Sequence, residues 1–272
     1  MPYLDLDSHL IHYSLHNPKK LSSRPLVLLH GLGSSGEDWP LQLASFVQVH
    51  PTLVVDLRGH GRSTMGSGWP MIADYAADIG ALLEQLGQEA VHAVGLSLGG
   101  LVALQLALDW HTHIYSLTIV NGFARLRVGW QGMIRALVRL CLLGIGRMDW
   151  VGAWIAAGIF PDPAQSAWRR VAAQRIASNP RSTYLRAVFA TSRFDVVPRL
   201  KEIHIPTMVV AGERDTTIAL GAKEVLAEGI PDARMVRLPS SGHATPYDAS
   251  ERFNQIVLDF LAESERGKLR FI

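Results

Sequence analysis

The chain has little of several things that would have placed it in another class. It holds a single cysteine, Cys141, so no internal disulfide can form and nothing points to an oxidising compartment. It has no excess of one charge: 26 Lys and Arg stand against 24 Asp and Glu. A nucleic-acid binder would carry a basic cluster on one face, so no nucleic acid is expected as a partner. Charged residues make up only 18% of the chain and apolar ones 48%, which excludes intrinsic disorder. With 24 Gly and 14 Pro in 272 residues and no internal repeat, collagen-like and low-complexity chains are excluded too. The start, Met1-Pro-Tyr-Leu-Asp-Leu-Asp7, lacks the basic segment of a signal peptide, and a cytoplasmic location is expected.

One stretch is long and uncharged enough to raise the question of a membrane span. Residues 90–108 contain no Asp, Glu, Lys or Arg, about the length that crosses a bilayer. Inside it, Val91-His-Ala-Val94 is short and β-branched, and Gly95, Gly99 and Gly100 bracket Ser97. Leu101, Leu104 and Leu108 then recur at helical spacing. A buried strand, a tight turn and a buried helix explain the run better, and no transmembrane segment is expected.

Apolar runs at 25–30, 52–56, 91–95 and 116–120 read as buried strands. Helical patterns lie between them: one opened by Asp38 as N-cap with Pro40 in its first turn, one at 73–86 and one at 98–108. Residues 1–16 read as a hairpin ending at the turn signal Asn17-Pro18. Strands that are apolar on both faces and alternate with helices imply a doubly wound, mostly parallel sheet. The alternation stops at Asn121 and resumes with a strand at 205–211, a helix at 219–228, a strand at 233–238 and a helix at 249–262. The expected architecture is an α/β core of residues 1–121 and 198–272, with a helical insertion, 122–197, after the sixth strand. In that insertion Met133, Ile134, Leu137, Val138 and Cys141 recur at helical spacing, with Arg135 and Arg139 on another face.

Gly95-Leu-Ser97-Leu-Gly99 fits G-x-S-x-G, a short pattern that chance also produces. Its place between a buried strand and an apolar helix is the context a nucleophile elbow needs. A serine hydroxyl needs a base, and the base needs an acid to orient it. Asp215 follows the strand at 205–211 and His243 follows the strand at 233–238, in the order such a site requires. Glu213 is the competing acid. The oxyanion formed on attack needs two backbone donors, and the N–H groups of Leu98 and of Leu32, in His30-Gly-Leu-Gly33, are the candidates.

With His30-Gly-Leu-Gly33, Asp56-Leu-Arg-Gly-His-Gly-Arg-Ser63, Gly95-Leu-Ser-Leu-Gly-Gly100, Asp215 and His243, the chain resembles an α/β-hydrolase of the cap-bearing, esterase-like group over nearly its whole length. The resemblance implies Ser97 as nucleophile, His243 as base, Asp215 as acid, Leu32 and Leu98 as oxyanion donors, and the insertion as a cap over the site. It implies a small-molecule ester or lactone substrate, no metal, no cofactor, and a monomer or homodimer. Relatives that open epoxides or remove halides use Asp where this chain has Ser97. Carbon–carbon hydrolases of the meta-cleavage type usually carry Trp after the histidine, where this chain has Ala244. The same segments also resemble enol-lactone hydrolases and methyl-ester carboxylesterases. Alternatives that share the pattern are carbon–carbon or amide hydrolysis and a non-catalytic small-molecule receptor.

Two rival readings rest on other residues. Gly31-Leu-Gly33-Ser-Ser-Gly36 fits the dinucleotide pattern G-x-G-x-x-G, with Asp56 in the position of a ribose acid. Against it, Glu37 and Asp38 would set negative charge beside a pyrophosphate, and the reading leaves Ser97, Asp215 and His243 unused. His9, His12 and His16, or His111 and His113, could suggest a metal, but strand alternation separates the first three. In the insertion, Trp154, Ile155, Ile159 and Phe160 are the candidates to line a substrate pocket, with packing of the insertion itself as the competing reading. Arg125, Arg127, Arg135 and Arg139 could meet an acidic substrate or form a solvated face.

Overall fold

A computed structural model describes residues 2–17, 23–126 and 129–267. Eight strands form one sheet: β1 (Tyr3–Asp5), β2 (Leu10–His16), β3 (Leu26–Leu29), β4 (Thr52–Val55), β5 (Val91–Leu96), β6 (Ile114–Val120), β7 (Thr207–Gly212) and β8 (Arg234–Leu238). Their order across the sheet is β1-β2-β4-β3-β5-β6-β7-β8. The pairs β1/β2 and β2/β4 are antiparallel and the others parallel.

Side-chain alternation splits the core in two. Val27, Leu29, Leu53, Val55, Leu117 and Ile119 face one layer, with α2 (Ile72–Gln85), α3 (Leu98–Asp109) and α8 (Leu220–Gly229). Leu26, Leu28, Val54, Met208 and Val210 face the other, with α1 (Pro40–Phe46) and α10 (Ser250–Glu265). A parallel sheet covered on both faces needs strands apolar throughout, and β3, β4, β5 and β7 are buried at every residue. The uncharged run at 90–108 is β5, a turn and α3, which is buried on all sides except at its last residue. Among the described residues no helix is long and apolar enough to cross a membrane.

The expected cap at Asp38 is corrected. Ser35 caps a short 3-10 turn over Gly36–Asp38, and α1 starts at Pro40 behind Trp39, with no side-chain cap. The Asp38 carboxylate is taken instead by Ser34 and Arg175.

Between β6 and β7 lie α4 (Trp130–Ile145), α5 (Met148–Ile159), α6 (Ser166–Ser178) and α7 (Arg181–Ser192). This segment enters and leaves side by side: Val196 N–H donates to the Ala124 carbonyl at 2.9 Å, and Arg125 pairs with Asp195 at 2.7 Å. It has its own small core of Leu143, Val151, Ile176 and Tyr184. At Gly152, α5 and α6 approach so closely that a Cβ would lie 2.3 Å from the Ala173 carbonyl oxygen. The helical periodicity of α4 is observed, but Met133, Ile134 and Leu137 face solvent. Spacing sets which residues share a face and leaves open which way that face turns. A four-residue helix, α9 (Thr245–Asp248), follows β8.

Candidate active site

Ser97 sits between β5 and α3 with φ 52° and ψ −114°, a strained conformation for a residue with a side chain. Its N–H donates to the Val120 carbonyl at 2.8 Å and its carbonyl accepts from Leu101 at 3.1 Å. The flanking glycines are steric necessities. A Cβ at Gly95 would lie 2.2 Å from the Gly99 carbonyl oxygen, and one at Gly99 would lie 2.1 Å from that of Leu29. Leu98 is the first residue of α3, where the N–H has no partner within the helix and the helix dipole is positive.

The loop after β3 runs beside this turn: a Cβ on Gly31 would lie 3.8 Å from the Ser97 Cβ. His30, fully buried, holds the loop. Its Nε2 accepts from Leu57 N–H at 2.9 Å, so its Nδ1 carries the hydrogen and donates to the Gly31 carbonyl at 2.8 Å. Burial pushes His30 below the usual imidazole range, against the pull of Asp56, which keeps it neutral.

Asp215 and His243 meet from different elements. His243 Nδ1 lies 2.9 Å from Asp215 Oδ2. Asp215 Oδ1 accepts from Thr217 N–H at 2.7 Å and Ile218 N–H at 3.0 Å. Because a carboxylate only accepts, the His243 hydrogen lies on Nδ1 and Nε2 is left as the basic nitrogen. Glu213, the competing acid, is exposed.

Lys223 was not legible as part of the site. It is fully buried on α8, and its Nζ donates to Asp215 Oδ2 at 2.8 Å and to the Gly212 carbonyl at 3.1 Å. Burial by itself would raise the Asp215 carboxyl; His243 and then Lys223 outweigh it and hold the group well below the usual range. Burial lowers Lys223 from its ordinary value, and the Asp215 carboxylate opposes that fall. The only sequence signal was a lysine inside the apolar pattern of Leu220-Gly-Ala-Lys-Glu-Val-Leu226.

Asn121 was missed as well. Its Nδ2 donates to the carbonyl oxygens of Gly242 at 3.1 Å and His243 at 2.8 Å, and its Oδ1 accepts from Gly212 N–H at 2.9 Å. One buried amide therefore ties β6, β7 and the His243 loop together. Asp248 braces the same loop by accepting from Gly242 N–H at 2.7 Å.

Ser97, His243, Leu32 and Leu98 line one cavity of about 750 Å³. Trp154, Ile155, Ile159 and Phe160 all reach its wall, and the packing reading holds for part of the set. Phe160 is buried against Trp168 and Tyr247, and Ile155 packs on the small core of the insertion. Arg135 and Arg139 line the cavity, Arg125 pairs with Asp195 away from it, and Arg127 lies outside the described residues.

The residues behind the rival readings are engaged elsewhere. Asp56 accepts from Gly36 N–H at 2.6 Å, Arg62 N–H at 3.0 Å and His12 Nδ1 at 3.0 Å, so its carboxylate ties loops together. The glycine loop leads into a 3-10 turn, and α1 starts only at Pro40. His9 pairs with Asp78, His12 with Asp56, and His16 with Ser14, so the three do not converge. Among the described residues, His50, His92 and Glu265 have their ligand atoms within 4.8 Å of one another. That cluster lies where β4 and β5 begin, at the other end of the strands from Ser97.

Comparison with known proteins identifies the family and the fold. The model of the alpha/beta hydrolase family matches residues 26–256. A protein of Variovorax paradoxus (strain S110) named "Putative carbamate hydrolase RutD" is 35% identical over 265 residues, which cover 93% of this chain and 96% of the relative. The crystal structure of a hydrolase from Pseudomonas aeruginosa PA01 superposes with a TM-score of 0.86 at 28% identity, covering 96% of this chain and 97% of the other. The enol-lactonase from Burkholderia xenovorans LB400 shares the fold, with a TM-score of 0.88 at 23% identity over 96% of this chain and all of the other.

Proposed function

This chain belongs to the alpha/beta hydrolase family and is a hydrolase, and we propose that it cleaves a small carboxylic ester or lactone through Ser97, His243 and Asp215. The observation that carries the reading is the 2.9 Å contact of His243 with a buried Asp215, facing the cavity into which a strained Ser97 is turned. His243 Nε2 takes the Ser97 proton as Oγ attacks the carbonyl carbon. The N–H groups of Leu32 and Leu98 stabilise the oxyanion. As the acyl–oxygen bond breaks, His243 gives its proton to the leaving alkoxide, leaving an acyl ester on Ser97. Water, deprotonated by His243, attacks that ester; the acid departs and Ser97 recovers its hydrogen.

We also assign residues 122–197 as the cap, since α4, α5, α6 and α7 roof the cavity that holds Ser97. A second reading, carbamate cleavage by the same steps, is favoured by the name of the Variovorax relative.

The test is activity on p-nitrophenyl acetate and butyrate. Ser97→Ala should lose on the order of 10³-fold or more, and a fluorophosphonate should label Ser97 alone. Asp215→Asn should fall about 10⁴-fold by favouring the wrong tautomer, while Glu213→Gln costs little. A Ser97→Ala variant within tenfold of wild type refutes the nucleophile, and a crippled Glu213→Gln reassigns the acid.

A further inference from the structure

The N-terminal half of α4 stands in the cavity wall with apolar side chains turned outward, whereas Leu143 near its C-terminal end is buried in the core of the insertion. Trp130, Met133, Ile134 and Leu137 are each more than half exposed, while Arg135 and Arg139, one turn apart, line the cavity. A helix packed on a protein ordinarily buries its apolar stripe and leaves its charges in water. Three arginines reach this cavity, and two are engaged. Arg175 is held by Asp38, and Arg135 by the carbonyl oxygen of Thr216. Arg139, half-buried, has no hydrogen-bond or ion-pair partner among the described residues.

A second uncommitted donor stands near it. Tyr184 lines the same cavity at 1% exposure, and its hydroxyl has no protein partner among the described residues. Burial pushes that hydroxyl above its usual range, with the Arg139 charge acting against the rise, so it remains a donor at neutral pH. The ring fixes the place: its Cε2 lies 3.0 Å from where a side chain on Gly33 would begin, one residue after Leu32. Most other side chains of the wall are apolar, such as Leu126, Ile155, Ile159 and Val171. A guanidinium fork and a hydroxyl in apolar surroundings suit a carboxylate, and they would hold it strongly because little water competes.

We infer that Arg139 and Tyr184 form an anion subsite, and that the substrate bears a carboxylate in addition to the bond cleaved at Ser97. This rests on the serine-hydrolase reading above. The substrate class is then a half-ester of a dicarboxylic acid, or a lactone with a carboxylate side arm.

Methyl esters differing only at the far end test it, such as monomethyl adipate against methyl hexanoate, in a series from succinate to suberate. In wild type kcat/KM should favour the best carboxylate ester over its neutral counterpart by tenfold or more, chiefly through KM. The preference should shrink as salt is raised. Arg139→Met should collapse the ratio to about one, Arg139→Lys should keep part of it, and Tyr184→Phe should reduce it. No preference at any length in wild type, or an unchanged ratio in Arg139→Met, overturns the inference. If neither ester is hydrolysed and Ser97 is not labelled, the serine-hydrolase reading has failed. The subsite is then decided by titrating adipate against the fluorescence of Trp154 and Trp168, which also line the cavity. Saturable binding lost in Arg139→Met upholds it, and binding that ignores Arg139 overturns it.

Discussion

Lys223 changes what Asp215 offers to His243. Both sit on the same oxygen, Oδ2, so the ammonium draws on the carboxylate charge that would otherwise stabilise a protonated imidazole. Replacing it by Met keeps an apolar stem of similar length and leaves Asp215 anchored by Thr217 and Ile218. The sign follows directly. Removing a positive charge makes protonation of His243 easier, and a protonated base cannot accept the serine proton. The acid limb of the kcat/KM profile of Lys223→Met should therefore move to higher pH. A limb that stays in place while stability changes would make the lysine a structural residue only. Stability in urea unfolding should fall as well, by about 3 kcal/mol, since removing one partner of a buried ion pair leaves the Asp215 charge uncompensated.

At the level of elements, the β5–α3 turn is the least tolerant part of the fold. Strand, turn and helix are pressed together so that backbone meets backbone at Gly95 and Gly99, and no side-chain rotation could relieve a clash there. Gly99→Ala should lose about 3 kcal/mol or more in urea unfolding, or fail to fold, because the Leu29 carbonyl belongs to a central strand. Gly87→Ala is the contrast. Gly87 has a positive φ, 63°, which Gly99 lacks, but nothing lies within 4 Å of its missing Cβ. It should cost only about 1–2 kcal/mol of backbone strain. Equal losses in the two variants would mean that the close packing at the turn relaxes more easily than its geometry implies.

For the whole molecule, the insertion is joined to the core at neighbouring points, Ala124 with Val196 and Arg125 with Asp195. It is also tied down by polar contacts away from these ends, among them Arg175 to Asp38, Asn179 to the Gly33 carbonyl at 2.9 Å and Arg186 to the Gly66 carbonyl at 3.0 Å. Closely spaced ends make an exchange of residues 122–197 with the segment of a relative geometrically feasible. Such a chimera should change its preference for acyl length, while a small fluorophosphonate still labels Ser97. An unchanged preference in a folded chimera would move substrate selection into the core.

The sequence by itself determined whatever depends on short-range pattern. Runs apolar on both faces are a consequence of burial within a parallel sheet, so β3 to β7 could be read with small errors at their ends. The glycines around Ser97, and the succession of Ser97, Asp215 and His243 after β5, β7 and β8, are likewise local signals in a fixed order. What only the tertiary structure decided is orientation and long-range partnership. Asp38 resembled a helix cap until Arg175, far away in the chain, drew it off. Lys223 and Asn121 acquire their partners because α8 and β6 pack beside the loops that carry Asp215 and His243. The repeat of Met133, Ile134 and Leu137 marks a helix, but its rotation is set by contacts across the whole insertion. That rotation turned Met133, Ile134 and Leu137 to solvent and Arg139 toward the cavity. Periodicity encodes which residues share a face, and only packing encodes what that face meets.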